Sequence, residues 1–256
     1  MAETIGSFAA LGDSFTEGLN DPRPDGGFLG WADRTAGALA AGNPDLRYAN
    51  LAIRGKLVHH VVAEQIEPAI AMSPDLVSVA AGGNDILRRA DVDNLAALFD
   101  SGIARLRAAG CRVMIFTGFD PRAFPVIRML RGRIAAYNMH LRAIADERGC
   151  DLVDLWSMRV LGDPRAWSED RLHLTGESHH RVALRACEVL GVPVQGDWRA
   201  PLPSTVRQPW LTARREDMRW AREYALPWVN RRLHHISSGD GLPPKRPELL
   251  PVRPPR

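Results

Sequence analysis

Two short motifs carry residue types that support acyl transfer through a serine nucleophile. Gly12-Asp13-Ser14 places a serine directly after a short apolar run, and Asp170-x-x-His173 places a carboxylate three residues before an imidazole. A serine hydroxyl is a weak nucleophile at its own pKa and needs an adjacent base. An imidazole held in one tautomer by a carboxylate is such a base, because its free ring nitrogen can accept the hydroxyl proton. We therefore predict a triad of Ser14, His173 and Asp170.

Acyl transfer also needs hydrogen-bond donors for the negative charge that develops on the carbonyl oxygen. Gly55 has no side chain to obstruct its backbone N–H, and Asn84, in Gly82-Gly83-Asn84-Asp85, has a side-chain amide. Taken alone, each of these segments is also typical of an ordinary turn. Gly55 and Asn84 are therefore candidate oxyanion donors if the fold brings them to Ser14.

Short apolar runs of strand length alternate along the chain with helical patterns. The runs are 7–11, 48–53, 76–81, 112–117 and 152–155, and glycines end the helical patterns 28–41, 95–109 and 133–148. This alternation predicts an α/β fold with a five-stranded parallel sheet between two helical layers. Ligands bind such sheets outside the carboxyl ends of the strands. The polar residues that follow each run should therefore meet there.

The composition changes near residue 196. The remainder of the chain holds ten of the nineteen prolines, four of the seven tryptophans and a net charge of +6, whereas residues 1–195 carry −3. Its apolar residues recur at helical spacing, at Met218, Ala221, Ala225, Val229, Leu233 and Ile236. Pro227 should kink this helix or begin a second one. We predict a catalytic domain over 1–195 and a basic C-terminal extension over 196–256 that packs on it, extended or disordered from about Ser237.

Several other classes of protein are disfavoured. No apolar segment is long enough to span a membrane, and the N-terminus does not resemble a signal peptide, so a cytoplasmic location is expected. Cys111, Cys150 and Cys187 are scattered without CxxC pairing, which argues against a disulfide framework or a zinc site. The basic residues of the extension alternate with acids and form no long run, which disfavours a nucleic-acid partner.

Together the motifs resemble the four sequence blocks of the SGNH hydrolase superfamily, the GDSL-type esterases and lipases. The blocks are Gly12-Asp13-Ser14, Gly55, Gly82-x-Asn84-Asp85 and Asp170-x-x-His173, and their order and spacing match over about residues 6–190. The stretch 12–18 and the basic, Pro-rich extension are similar to intracellular actinobacterial members.

This resemblance implies a three-layer, flavodoxin-like α/β/α fold and no cofactor. It also implies that Ser14 is the nucleophile, that Asp170 orients His173, and that the Ser14 N–H, the Gly55 N–H and the Asn84 amide form the oxyanion hole. Arg54 departs from the smaller residue that many members have before the oxyanion glycine, and it could narrow or charge the pocket.

The leading hypothesis is a metal-independent esterase that cleaves small or medium acyl esters through an acyl-enzyme. An acyltransferase or a thioesterase would use the same residues, because the distinction lies in loop-built pockets. A non-catalytic protein that binds through its basic tail is a further alternative. Trp156 and Trp167 flank the loop before Asp170 and are candidates for the wall of an acyl pocket. The expected partner is a small-molecule ester, and the oligomeric state stays open.

Overall fold

The computed structural model describes residues 4–24, 26–125, 127–204, 210–227, 230 and 237–252. Its strands are β1 (Ser7–Gly12), β2 (Arg47–Asn50), β3 (Leu76–Ala80), β4 (Arg112–Phe116), β5 (Asp151–Val153) and β6 (Arg246–Pro251). They form one sheet in the order β5-β4-β3-β1-β2-β6. The first five strands pair in parallel, and β6 pairs antiparallel with β2. Strands β1 to β5 thus have the flavodoxin-like order 2-1-3-4-5, which confirms the predicted fold class.

The sixth strand corrects the predicted number of strands. It comes from the C-terminal extension, where Leu250 pairs with Tyr48 at the edge of the sheet. Pro247 and Pro251 disfavour a strand in the sequence, because proline cannot donate to a ladder. An edge strand tolerates proline, since its outer side needs no partner.

Helices cover both faces of the sheet. They are α1 (Ser14–Glu17), α2 (Gly30–Gly42), α3 (Val58–Glu64), α4 (Ile66–Ala71), α5 (Gly83–Leu87), α6 (Val92–Ala108), α7 (Arg131–Arg148), α8 (Gly176–Leu190) and α9 (Trp210–Trp220). Alternate residues of β1 enter two separate cores. Phe8 packs in the core with α2 and α8, and Leu11 packs in the core with α3, α6 and α7. This period of two places a helical layer on each face.

A π-helical turn at Ala221–Ala225 follows α9 directly. Pro227, which has no N–H to donate, follows this turn. The second helix that the sequence predicts beyond Pro227 falls largely on 228–229 and 231–236, which lie outside the described residues. None of the described helices is long and apolar enough to cross a membrane.

Candidate active site

Ser14 begins α1, immediately after β1 and the Gly12-Asp13 turn. Gly12 has a φ of 146°, and a Cβ atom there would lie 2.3 Å from the Ala80 carbonyl oxygen. The turn therefore requires glycine. The buried Gln65 amide accepts from the Gly12 N–H at 2.8 Å and donates to its carbonyl oxygen at 2.9 Å. These contacts fix the backbone that holds Ser14 at the carboxyl end of the sheet.

His173 lies between Ser14 and Asp170. Its Nε2 is 3.0 Å from Ser14 Oγ, and its Nδ1 is 2.6 Å from Asp170 Oδ2. The side chains of His173 and Asp170 are each 16% exposed. The structure thus brings together the three residues that the sequence predicts as a triad, although 159 positions separate Ser14 from His173. A hydroxyl, a base and an orienting carboxylate in this order can perform nucleophilic acyl transfer.

The Asp170 carboxylate accepts several further hydrogen bonds. Oδ1 accepts from the Ser168 hydroxyl at 2.8 Å and from the N–H groups of Leu172 and His173 at 2.9 and 3.0 Å. Oδ2 accepts from the Asn20 amide at 2.7 Å. Burial acts to raise the pKa of Asp170, but the hydrogen bond and charge of His173 and these N–H donors outweigh it, so the pKa lies well below its usual value. Asp170 therefore stays ionised and can stabilise an imidazolium.

Asn20 and Ser168 belong to this arrangement and were not predicted from the sequence. The Asn20 amide also donates to Ser168 Oγ at 2.8 Å, so one side chain joins the loop after α1 to the Asp170 loop. Asn20 lies 150 positions from Asp170. The Asn20 backbone is left-handed, with a φ of 69°, a conformation in which asparagine is enriched. An asparagine in the sequence can therefore indicate a turn here, but it does not indicate the contact with Asp170.

The three candidate oxyanion donors differ in their present hydrogen bonds. The Asn84 amide donates to Asp13 Oδ2 at 3.1 Å and to the Lys56 carbonyl oxygen at 3.0 Å. Within the described part of the chain, the backbone N–H groups of Ser14 and Gly55 donate to no backbone acceptor. Gly55 is left-handed, with a φ of 77°. Two backbone donors are thus available, whereas the amide is already engaged.

Two buried carboxyl groups, those of Asp13 and Asp85, lie beside the candidate oxyanion donors, and neither has a role predicted from the sequence. Burial raises the pKa of Asp13 to about 6, against the opposing effects of the Phe15 N–H and the charge of His173. Asp13 Oδ1 accepts from that N–H at 3.1 Å and so caps α1. Burial also raises the pKa of Asp85, whose Oδ2 accepts from the Val58 N–H at 3.1 Å at the start of α3. These carboxyl groups fix two helix ends beside the site.

A cavity of about 210 Å³ adjoins the triad and is lined by Ser14, Asn84 and His173. The remaining lining is mostly apolar: Phe15, Leu19, Ala80, Ala81, Ile86, Leu87, Phe116, Phe119, Ile127, Leu130, Ile134, Leu141, Leu155, Leu161, Trp167, Leu172 and Leu174. Of the two tryptophans considered from sequence, Trp167 lines the cavity. Trp156 packs elsewhere, with the Arg131 guanidinium 5.1 Å from its ring centroid. The cavity suits an apolar group beside Ser14.

Arg54 does not line this cavity. Its guanidinium pairs with the buried Glu17 carboxylate and lies 5.2 Å from the Phe28 ring centroid. Its backbone N–H donates to Glu17 Oε2 at 2.8 Å. The charge of Arg54 is thus neutralised away from the cavity. Among the described residues, no three His, Cys, Asp or Glu side chains cluster in a way that could hold a metal ion.

Comparison with known proteins places the chain in a family. The model of the GDSL-like Lipase/Acylhydrolase family matches residues 10–181. No curated protein matches the chain. The structure of Axe2, an acetylxylan esterase from Geobacillus stearothermophilus, has a TM-score of 0.61 at 24% identity, covering 77% of this chain and 98% of its own.

Two further solved structures have the same fold. TesA has a TM-score of 0.62 at 23% identity, with 72% of this chain and 97% of its own covered. LAE5, an alpha/beta hydrolase enzyme from the metagenome of Lake Arreo in Spain, has a TM-score of 0.64 at 22% identity, with 73% and 95% covered. The family model spans most of the chain and includes Gly12-Asp13-Ser14. The chain therefore belongs to the GDSL-like lipase/acylhydrolase family and is an esterase of the SGNH type.

Proposed function

We propose that the protein hydrolyses small or medium acyl esters through an acyl-enzyme on Ser14. The observation that carries this proposal is the hydrogen-bonded line from Ser14 through His173 to Asp170, with contacts of 3.0 and 2.6 Å. Ser14 Oγ attacks the ester carbonyl while His173 takes its proton and passes it to the leaving alkoxide. Water activated by His173 then releases the acid and restores Ser14.

The negative charge of each tetrahedral intermediate would be stabilised by the Ser14 and Gly55 N–H groups and the Asn84 amide. Asn84 donates to Asp13 and to the Lys56 carbonyl oxygen in the free enzyme. A charged oxygen is a stronger acceptor than a neutral carbonyl. We propose that the oxyanion of the intermediate replaces the Lys56 carbonyl oxygen as the acceptor of one Asn84 N–H, while the hydrogen bond to Asp13 keeps the Asn84 amide oriented.

The cavity supports an apolar acyl group. Among the residues that the structure describes, no lysine or arginine lines the cavity, which argues against an anionic acyl group. Each methylene buried there should add about 0.8 kcal/mol of binding in the transition state. With p-nitrophenyl esters, kcat/KM should therefore rise about fourfold per methylene from acetyl upward and fall once the chain exceeds the cavity. A steady decline from acetyl onward would contradict an apolar acyl pocket.

Labelling by a fluorophosphonate probe tests the nucleophile. The wild-type protein should be labelled, and Ser14→Ala should abolish both labelling and ester turnover while leaving the melting temperature unchanged. Ser101→Ala is the matched control, because Ser101 is exposed on α6 and donates only to the Leu98 carbonyl oxygen. Wild-type protein that stays unlabelled, or a Ser14→Ala variant with normal turnover, would refute the proposal.

A further inference from the structure

The loop that carries Asp170 and His173 has an unusual backbone at the residue that follows Asp170. Arg171 has a φ of 56°, in the left-handed region that few side chains adopt. This conformation accompanies the turn in which the N–H groups of Leu172 and His173 both reach Asp170 Oδ1. Such a strained conformation persists only where the surroundings hold it. The contacts of Arg171 and of its preceding peptide therefore bear on the position of His173.

The Arg171 N–H donates within the loop, to the Ser168 carbonyl oxygen at 2.9 Å. The other contacts come from the C-terminal segment, which we define as residues 210–227 and 237–252. The Trp220 indole Nε1–H donates to the Asp170 carbonyl oxygen at 2.9 Å, on the peptide that joins Asp170 to Arg171. The Arg171 guanidinium lies 5.0 Å from the Trp220 ring centroid and forms an ion pair with Asp217 at 2.7 Å. One turn of α9 thus holds both the strained residue and the carbonyl before it.

The same segment also reaches the candidate oxyanion loop. The Ser237 hydroxyl donates to the Arg54 carbonyl oxygen at 3.4 Å. A Cβ atom on the buried Gly239 would lie 2.1 Å from that oxygen, and one on Gly55 would lie 2.0 Å from Ser237 Oγ. The two backbones therefore pack as closely as glycine allows.

A third contact reaches the helix that carries Ser14. The ammonium group of Lys245 donates to the carbonyl oxygens of Glu17 and Leu29 at 2.7 and 3.0 Å and pairs with Asp33 at 3.0 Å. Glu17 is the last residue of α1. Lys245 thus joins the end of α1 to the start of α2.

We propose that the C-terminal segment positions the active site and that Trp220 is its principal positioning residue. Trp220 holds the Asp170–Arg171 peptide, and thereby the Asp170 carboxylate and the His173 ring, in the orientation that serves Ser14. This inference rests on the proposed function, because the position of the Asp170 loop affects turnover only if His173 is the base that serves Ser14. Trp220 itself is assigned no contact with the substrate. Trp220 lies on the partly exposed surface of an appended helix rather than in either core. Its loss should therefore affect turnover more than folding.

Trp220→Phe tests the inference, because it removes the N–H donor and keeps an aromatic ring beside Arg171. We expect kcat on a p-nitrophenyl ester to fall about tenfold with KM changed less than twofold. Trp198→Phe is the matched control. The Trp198 indole donates to Glu188 Oε2 at 2.7 Å and lies 4.0 Å from the Arg199 guanidinium carbon, away from the triad. It should leave kcat unchanged.

A pH profile distinguishes positioning from general loosening of the structure. A displaced carboxylate stabilises the imidazolium less, so the acidic limb of kcat/KM should move to lower pH in Trp220→Phe and not in Trp198→Phe. Asp217→Asn supplies a second variant that cannot endanger the fold, since the Asp217 side chain is 60% exposed. It releases Arg171 and should lower kcat about twofold.

The outcomes separate this inference from the proposed function. Wild-type protein that fluorophosphonate does not label would defeat both. Labelled wild-type protein, together with Trp220→Phe and Asp217→Asn variants that retain wild-type kcat and pH profile, would overturn the positioning role alone. Parallel losses in Trp220→Phe and Trp198→Phe would also overturn it, because they would indicate a general effect of removing an indole.

Discussion

The two sides of the candidate site, which we call the nucleophile side and the base side after the roles we propose for Ser14 and His173, are supported in different ways. Ser14 follows directly on β1, which is buried along its whole length and paired on both sides. Asp170 and His173 lie instead in an irregular loop between the turn at Pro164–Ala166 and α8. The nucleophile side is thus held by the strand ladder of the core and by the buried Gln65 side chain. The base side is held by hydrogen bonds within its own loop and by the side chains of Asn20 and Trp220 from distant parts of the chain.

This difference predicts how each side responds to mutation. A change beside Ser14 breaks contacts that also hold the sheet, so it should lower stability first. A change around Asp170 removes side-chain hydrogen bonds at the rim of the domain, so it should lower kcat with little loss of stability. Stability and turnover measured on the same variants can therefore separate the two sides.

Asp170→Asn should produce the largest effect, on the base side. The amide keeps the size of the carboxylate but favours the wrong His173 tautomer, so kcat should fall about 10⁴-fold. The melting temperature should fall by only a few degrees, because Asp170 belongs to neither core. Steady-state kinetics and thermal denaturation check this result. Asp163→Asn is the control, since Asp163 caps a nearby turn and pairs with Arg165 without reaching His173; a similar loss in that variant would contradict a specific role of Asp170.

Gln65→Leu tests the nucleophile side. Gln65 is 3% exposed, and its amide is bonded to both backbone groups of Gly12. Leucine leaves the buried Gly12 N–H without a partner and removes one of the two donors to the Gly12 carbonyl oxygen, which still accepts from the Ile53 N–H at 3.3 Å. The free energy of unfolding should therefore fall by about 3 kcal/mol. Urea denaturation measures this loss, and kcat of the folded fraction should change less than tenfold. The neighbouring exposed Glu64→Gln should change stability by less than about 0.5 kcal/mol.

The difference between the two sides also explains which features the sequence could predict. The position of Ser14 could be predicted because a buried strand leaves a continuous apolar run and ends at a turn, and the run 7–11 locates that end. The proximity of Asp170 and His173 to Ser14 could be predicted because both belong to one short motif whose loop the topology places opposite Ser14. The parallel pairing of β1 to β5 could be predicted from the alternation of strand and helix patterns, and the resemblance to the SGNH superfamily implied their flavodoxin-like arrangement.

The supports on the base side could not be predicted in the same way. Asn20 and Trp220 lie 150 and 50 positions from Asp170, and no local periodicity links residues that far apart.

Two features outside the base side could not be predicted either. The prolines of β6 disfavour a strand, so the sequence contains no indication of its antiparallel pairing with β2. The contact of Asn84 with Asp13 was hidden because both residues are ordinary turn formers. Such contacts form only when distant parts of the chain pack together, so they are seen only in the three-dimensional structure.

Of the three variants that test the two sides, Asn20→Gly should give the smallest total change in free energy and the sharpest test of the comparison. Glycine accepts the φ of 69° at this position without strain, so the variant removes only the amide that donates to Asp170 and Ser168. Asp170 keeps its other donors, so kcat should fall about tenfold and the free energy of unfolding by less than about 1 kcal/mol. In Gln65→Leu, the loss of unfolding free energy should exceed the loss of kcat expressed as activation free energy. In Asn20→Gly, the loss of kcat expressed in the same way should be the larger of the two. If Asn20→Gly instead costs several kcal/mol of stability at unchanged kcat, the Asp170 loop is part of the folding core and the two sides do not differ as we infer.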